Sequence, residues 1–104
     1  MRDRIINAIE NQLWLRISSQ REKDEEYITR ELAPYDIFHQ ETGKNEGEER
    51  LIGYTKAHED HRPGVISLYL KNIGSVVETG EKFDGPQIRR LIGPTRPTVI
   101  PRDW

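Results

Sequence analysis

The chain has no cysteine. That excludes disulfides, thiolate metal centres and cysteine nucleophiles together, and it fits a reducing compartment. Aromatic residues are sparse at 8%, and hydrophobic residues reach only 34%. No apolar run approaches the roughly 18 residues that a membrane helix needs. The opening Met1-Arg2-Asp3-Arg4 leads into a mixed helical pattern, not into the apolar core of a signal peptide. A soluble cytoplasmic protein without a membrane partner is expected. An excess of charge of one sign is also missing: 16 Lys and Arg face 18 Asp and Glu, for a net charge of −2. A globally basic, polyanion-coating protein is therefore excluded, although a local basic face is not.

At 104 residues the chain is long enough for one small domain. A chain of this size buries roughly two-thirds of its unfolded surface, enough for one modest core. The aliphatics cluster in blocks, which argues against general disorder. Charge is distributed unevenly. Residues 20–31 hold five acids against three bases, and residues 86–104 hold four arginines against one aspartate.

Ile5, Ile9 and Leu13 recur at a four-residue step, which predicts a helix over residues 2–12. From Leu13 the period changes to two, with Leu15 and Ile17 alternating with Trp14, Arg16 and Ser18, as in a strand with one face inward. Trp14 is expected to pack, since a bare exposed tryptophan is unusual. A charged turn at 21–25 leads to a second strand. Ile28, Arg30 and Leu32 share one of its faces, and Tyr27 and Thr29 share the other. Pro34 cannot donate to a ladder, yet β-forming residues resume at once, which predicts a sharp corner. Corners of this kind let a short sheet curl into a small barrel. Further strands are expected over 50–57, 65–70 and 75–79, with polar loops at 40–49 and 58–64. Asp84-Gly85-Pro86 reads as a helix start, and Gly93-Pro94 as its end. Residues 93–104 are expected to form a proline-rich extended tail; Val99, Ile100 and Trp104 suit docking on the domain or on another subunit, and the alternative is a frayed terminus. The expected architecture is mainly β with flanking helices: an antiparallel barrel domain over 1–92, with an N-terminal helix and a short C-terminal one, then the tail.

The succession of motifs resembles a WYL domain, a small barrel related to the Sm and SH3 folds. Such domains occur in bacterial transcription regulators and phage-defence proteins. The likeness runs from about Ile5 to Phe83. It rests on Ala8-Ile9-Glu10 before Leu15-Arg16-Ile17, on Arg30 with Pro34-Tyr35, on Arg50-Leu51-Ile52-Gly53-Tyr54, and on Leu68 to Ile73 followed by Ser75-Val76 and Phe83. The eponymous Trp-Tyr-Leu position is held here by Arg50-Leu51-Ile52. A strand tyrosine of the family falls near Ser19, and two arginines fall near Tyr69 and Asn72. The resemblance implies a domain that binds a negatively charged ligand, such as a nucleotide or short nucleic acid, and that needs no cofactor.

Arg30 is the leading candidate, because an arginine half-buried among Ile28 and Leu32 can hold a phosphate or carboxylate through two N–H groups. Its alternative role is a structural pair with Glu31 or Glu49. Tyr35, Arg50, Tyr54, Tyr69 and Lys71 are the candidates to complete a polar pocket, with Arg16 beside them. Their alternative is a solvated sheet face. His58, Glu59, Asp60 and His61 offer imidazole and carboxylate chemistry, but no second ligand group lies elsewhere, so no metal is expected. Glu22, Asp24, Glu25 and Glu26 read as solvated acids. No nucleophile triad, phosphate loop or dinucleotide glycine pattern is present, so an enzyme is not expected. The competing reading is a protein-interaction or homo-oligomerisation module, working through open strand edges and the tail.

Overall fold

The computed structural model describes residues 1–21, 23–59 and 61–104, so Glu22 and Asp60 of the two acidic turns lie outside the described residues. Helix α1 spans Arg2–Asn11 and buries Ile5, Ala8 and Ile9 on one stripe. It ends at Gln12, whose left-handed backbone (φ 55°) turns the chain into the sheet. The helix is followed by β1 (Leu13–Gln20), β2 (Tyr27–His39), β3 (Glu49–Thr55) and β4 (Gly64–Tyr69). A 3-10 turn at Leu70–Asn72 leads to β5 (Ile73–Lys82), and α2 (Gly85–Ile92) closes the regular structure. None of the described helices is long and apolar enough to cross a membrane.

The five strands form one antiparallel sheet in the order β4-β3-β2-β1-β5. Laid flat, β4 and β5 would stand about 19 Å apart, four spacings of about 4.8 Å. Yet only Leu70–Asn72 separate them in sequence, and a 3-10 turn rises about 2 Å per residue. The sheet must therefore curl. The closure expected of a barrel is not seen: among the described residues β4 and β5 do not pair, and a seam stays open between them.

Pro34 sits where the sequence places the corner, but it does not end the strand. The ladder runs Pro34↔Gly53 and then Asp36↔Ile52, so Tyr35 is an extra residue on β2. Such a bulge bends and twists its strand. Around it, Leu32 to Ile37 are all buried, because both faces of the sheet are covered. On one face Leu15, Ile17, Leu32, Ile37 and Leu51 pack with Ile5, Ala8 and Ile9 of α1. On the other, Ala33, Tyr35 and Ile52 pack with Phe83 and with Ile88 of α2, and Trp14 and Tyr54 lie at the margin. Trp14 meets Phe83 edge-on at 6.0 Å, so it packs as expected.

The tail docks on its own chain. Ile100 is only 6% exposed, whereas Val99 is 61% exposed and does not join the core. The Trp104 ring packs edge-on against Tyr35 and Phe83, and its indole N–H donates to the Ile9 carbonyl at 2.7 Å. Asp84 stands at the cap of α2 but makes no side-chain capping bond. The Gly85 N–H is instead taken by Gln12 Oε1 at 2.7 Å. Gly85 is thus wedged: a Cβ there would sit 2.6 Å from both Trp104 Cγ and Gln12 Oε1. Alanine normally favours a helix by about 1 kcal/mol over glycine. Here the sign reverses, and Gly85→Ala is expected to cost about 1–3 kcal/mol through overpacking. Thermal unfolding followed by tryptophan fluorescence checks this, and an unchanged or raised Tm contradicts it.

Candidate anion site in the sheet seam

The open seam contains a cavity of about 330 Å³ lined by Ser19, Gln20, Arg21, Lys23, Arg30, Ser67, Leu68, Tyr69 and Asn72. The residues come from the end of β1 and the turn after it, from β2, from the β4 edge and from the 3-10 turn. Each wall follows from local pattern. Ile17 and Ser19 alternate inward on β1, and Ile17 pairs with Arg30 across the ladder. Arg30 lies on the inward set of β2 with Ile28 and Leu32, while Tyr27 and Thr29 are exposed. Among the described residues, three of the lining side chains are cationic and none is acidic.

Arg30 donates from Nη1 to Ser19 Oγ at 3.4 Å. It makes no ion pair among the described residues, and both carboxylates considered for it are engaged elsewhere. Glu31 holds Arg16 at 3.3 Å and faces Lys56 at 3.9 Å, and Glu49 holds Arg2 at 3.0 Å. Burial lowers the Arg30 pKa from its ordinary value, and the nearby Arg21 cation lowers it further. Guanidinium stays protonated regardless. The result is a half-buried, charged fork with one neutral partner. Arg21 is itself bound to Asp24, whose carboxyl is held below its usual pKa chiefly by that bond.

The other residues singled out from sequence separate into two groups. Arg50, Tyr69 and Lys71 come together: the Arg50 guanidinium carbon lies 4.9 Å from the Tyr69 ring centre, and Lys71 Nζ lies 5.5 Å from it. Asn45 of the 40–48 loop ties this group down, donating to the Tyr69 hydroxyl at 3.2 Å and accepting from Lys71 Nζ at 3.2 Å. Tyr69 belongs to this stack and to the cavity wall, so it joins the two. Tyr35 and Tyr54 do not belong to either. Tyr35 is 0% exposed, with the Arg102 guanidinium carbon 4.7 Å from its ring and Trp104 against its edge, so it cannot stack on a ligand. The bulge causes this by directing Tyr35 to the face that α2 and the tail cover. Tyr54 packs at the margin of that same core, between Ala33 and Val65 in the ladder. Arg16 is an exposed ion-pair residue.

Reasoning from sequence missed Arg21 and Lys23 as cavity walls, because a run of mixed charges reads as solvated turn. Ser19 and Asn72, which carry no signal of their own beyond the resemblance, both line the cavity beside Arg30 and Tyr69. His58 and His61 exchange backbone hydrogen bonds at 3.1 and 2.7 Å and close a tight turn. Among the described residues no group of three His, Asp or Glu side chains is placed to hold a metal.

No family model, no curated protein and no solved structure matches the chain.

Proposed function

We propose that this chain is a non-enzymatic sensing or regulatory domain of the WYL type, an SH3/Sm-like roll whose seam cavity takes an anionic ligand, a nucleotide or a short nucleic acid. The observation that carries the reading is Arg30: half-buried in a cavity with two more cations, bound only to a serine hydroxyl among the described residues. The family kinship is supported by the curl, with β5 returning beside β1 after a 3-10 turn. Arg30, on its motif position in the resemblance, lines the cavity, and Ser19, Tyr69 and Asn72 line it too, standing where the family carries a tyrosine and two arginines. The volume is at the lower end of small-ligand sites, which run from about 300 Å³ upward. It would admit a phosphate with part of a nucleoside. The reading carries with it a cytoplasmic setting and a role in transcription regulation.

Arg30→Ala tests it. Loss of a charge-assisted contact worth about 1.5–3 kcal/mol weakens binding of a fluorescent mononucleotide about 10- to 100-fold. Unfolding free energy should move by no more than about 1 kcal/mol, since no ion pair is broken. Equal affinity in the variant, or an Arg30→Gln variant that also fails to fold, makes Arg30 structural and ends the proposal.

A second reading, an interaction or oligomerisation module, draws on the sheet edges. Among the described residues both β4 and β5 pair on one side only, and Val65 and Val77 on them are 50% and 48% exposed. The tail does not serve this reading as a free arm, because Ile100 and Trp104 are already docked on their own chain.

A further inference from the structure

Cations and aromatic rings alternate along a line that leaves the seam cavity. From Tyr69 the line passes to Arg50, whose guanidinium carbon lies 4.9 Å from that ring and 5.8 Å from the ring of Phe38. Arg96 of the tail lies 5.7 Å from Phe38, and Lys71 lies 5.5 Å from Tyr69 at the other end. The middle of this row is fixed by register, since Phe38 pairs with Arg50 and Arg50 with Tyr69 across three adjacent strands.

Three features set the row apart from ordinary surface charge. Its cations have neutral partners: Arg50 donates to Gln40 at 3.1 Å and Lys71 to Asn45 at 3.2 Å. Among the described residues none of the three forms an ion pair, although Glu41, Glu46 and Glu48 are on the adjoining loop. The neighbouring rings and amides restrict the Arg50 and Lys71 side chains, which reduces the entropy lost on meeting a phosphate. And Tyr69, which lines the cavity that holds Arg30, carries the row on the sheet face opposite the Arg30 side chain, so the two meet around the β4 edge.

Resting on the reading of that cavity as an anion site, we infer that the row Lys71, Tyr69, Arg50, Phe38, Arg96 is a phosphate track for a single-stranded nucleic acid whose end enters the seam. The strand is read by its backbone and not by its bases, because the rings are already engaged by the protein's own cations. A rigid duplex cannot enter a cavity of about 330 Å³ and then follow a sheet face. A flexible single strand can.

The test uses the full chain, a fluorescent mononucleotide, and a labelled oligothymidylate of about 12 nucleotides, within the usual footprint of such grooves. Binding is measured by anisotropy between about 50 and 200 mM salt. Each phosphate neutralised on a single strand contributes about −0.7 to the slope of log K against log salt. Contacts from Arg30, Arg50, Lys71 and Arg96 together predict a slope near about −3 for the oligomer. Arg96→Ala and Lys71→Ala replace exposed side chains and should each flatten that slope by about 0.7 and weaken the oligomer several-fold. Arg96→Ala, at a residue outside the cavity, should leave the mononucleotide unchanged. Polyglutamate of equal length should compete poorly.

If the mononucleotide binds but both variants leave the oligomer slope intact, the track is overturned and the cavity reading stands. If Arg96→Ala weakens mononucleotide and oligomer alike, one general charge effect replaces the track. Equal competition by polyglutamate overturns the nucleic-acid assignment. If neither probe binds, the cavity reading fails and the track fails with it.

Discussion

Asp36→Ala lowers the unfolding free energy by about 3–5 kcal/mol, the cost of leaving one member of a buried ion pair without its partner. Asp36 has no obvious reason to be buried on a strand between Tyr35 and Ile37. Its side chain is 3% exposed all the same, and that of Arg102 is 1% exposed. The carboxylate is fully used. Oδ2 accepts from the Val99 N–H at 2.9 Å, and Oδ1 accepts from the Ile100 N–H at 2.9 Å and from Arg102 Nη2 at 3.2 Å. One side chain on β2 therefore holds two successive backbone amides and a guanidinium of a segment more than 60 residues away. Burial lowers the Arg102 pKa while Asp36 pulls it back up, the signature of a cation kept inside by one counter-charge. Alanine would leave two amides without an acceptor and a buried cation without its counter-charge, held only by the Ile100 carbonyl.

A domain of this size has only about 5–15 kcal/mol to lose, so the variant should be marginal. Urea unfolding measures the effect, and a double-mutant cycle with Arg102→Met assigns it. In the double variant no charge is left stranded, so part of the loss should return and the two changes should be coupled by more than about 1 kcal/mol. A loss below about 1 kcal/mol, or simple additivity, would mean that the tail is not anchored through this pair. The substitution also releases Arg96 from its place over Phe38. At urea-free conditions where the variant remains folded, its affinity for a single strand should fall toward that of Arg96→Ala.

Much of the sheet could be read from the chain because strand period and burial are local. The inward set Leu15, Ile17, Ser19 and the inward set Ile28, Arg30, Leu32 both follow from alternation alone, and the second placed Arg30 on a cavity wall. Pro34 announced a bend for the simple reason that it lacks an N–H. What lay beyond reach was long-range. Whether a curled sheet closes is decided by hydrogen bonds between edge strands, and residue pattern carries no record of them. Tyr35 was misassigned because its surroundings come from residues 83, 102 and 104, not from its neighbours. Asp36 drew no notice, since a lone acid in a strand usually faces water. The apolar content of the tail signalled docking, but nothing local marked Asp36 as the acceptor. Arg96 gave no signal at all, being one arginine between prolines.

The same corner that hid Tyr35 sets the second large effect. Gly53→Ala should destabilise the fold by about 3 kcal/mol, at the upper end of ordinary overpacking. Gly53 lies in mid-strand on β3, facing Pro34 on one side and Ile66 on the other. Its φ is not in the left-handed region, so backbone freedom does not explain the residue. Space does. A Cβ built there falls 2.6 Å from the Ala33 carbonyl oxygen and 3.1 Å from Leu32 Cδ1. Leu32 could rotate, but Ala33 contributes main chain, held in the ladder beside the bulge. Relief requires β2 and β3 to part where Pro34 already withholds a hydrogen bond and the sheet bends most sharply. Gly64→Ala is the control, because nothing lies within 4 Å of its added carbon and its φ needs no glycine. It should change stability by less than about 0.5 kcal/mol. If the two alanine variants melt together, the β2 main chain yields at Ala33 and the close approach at Gly53 does not constrain the sheet beside the bulge.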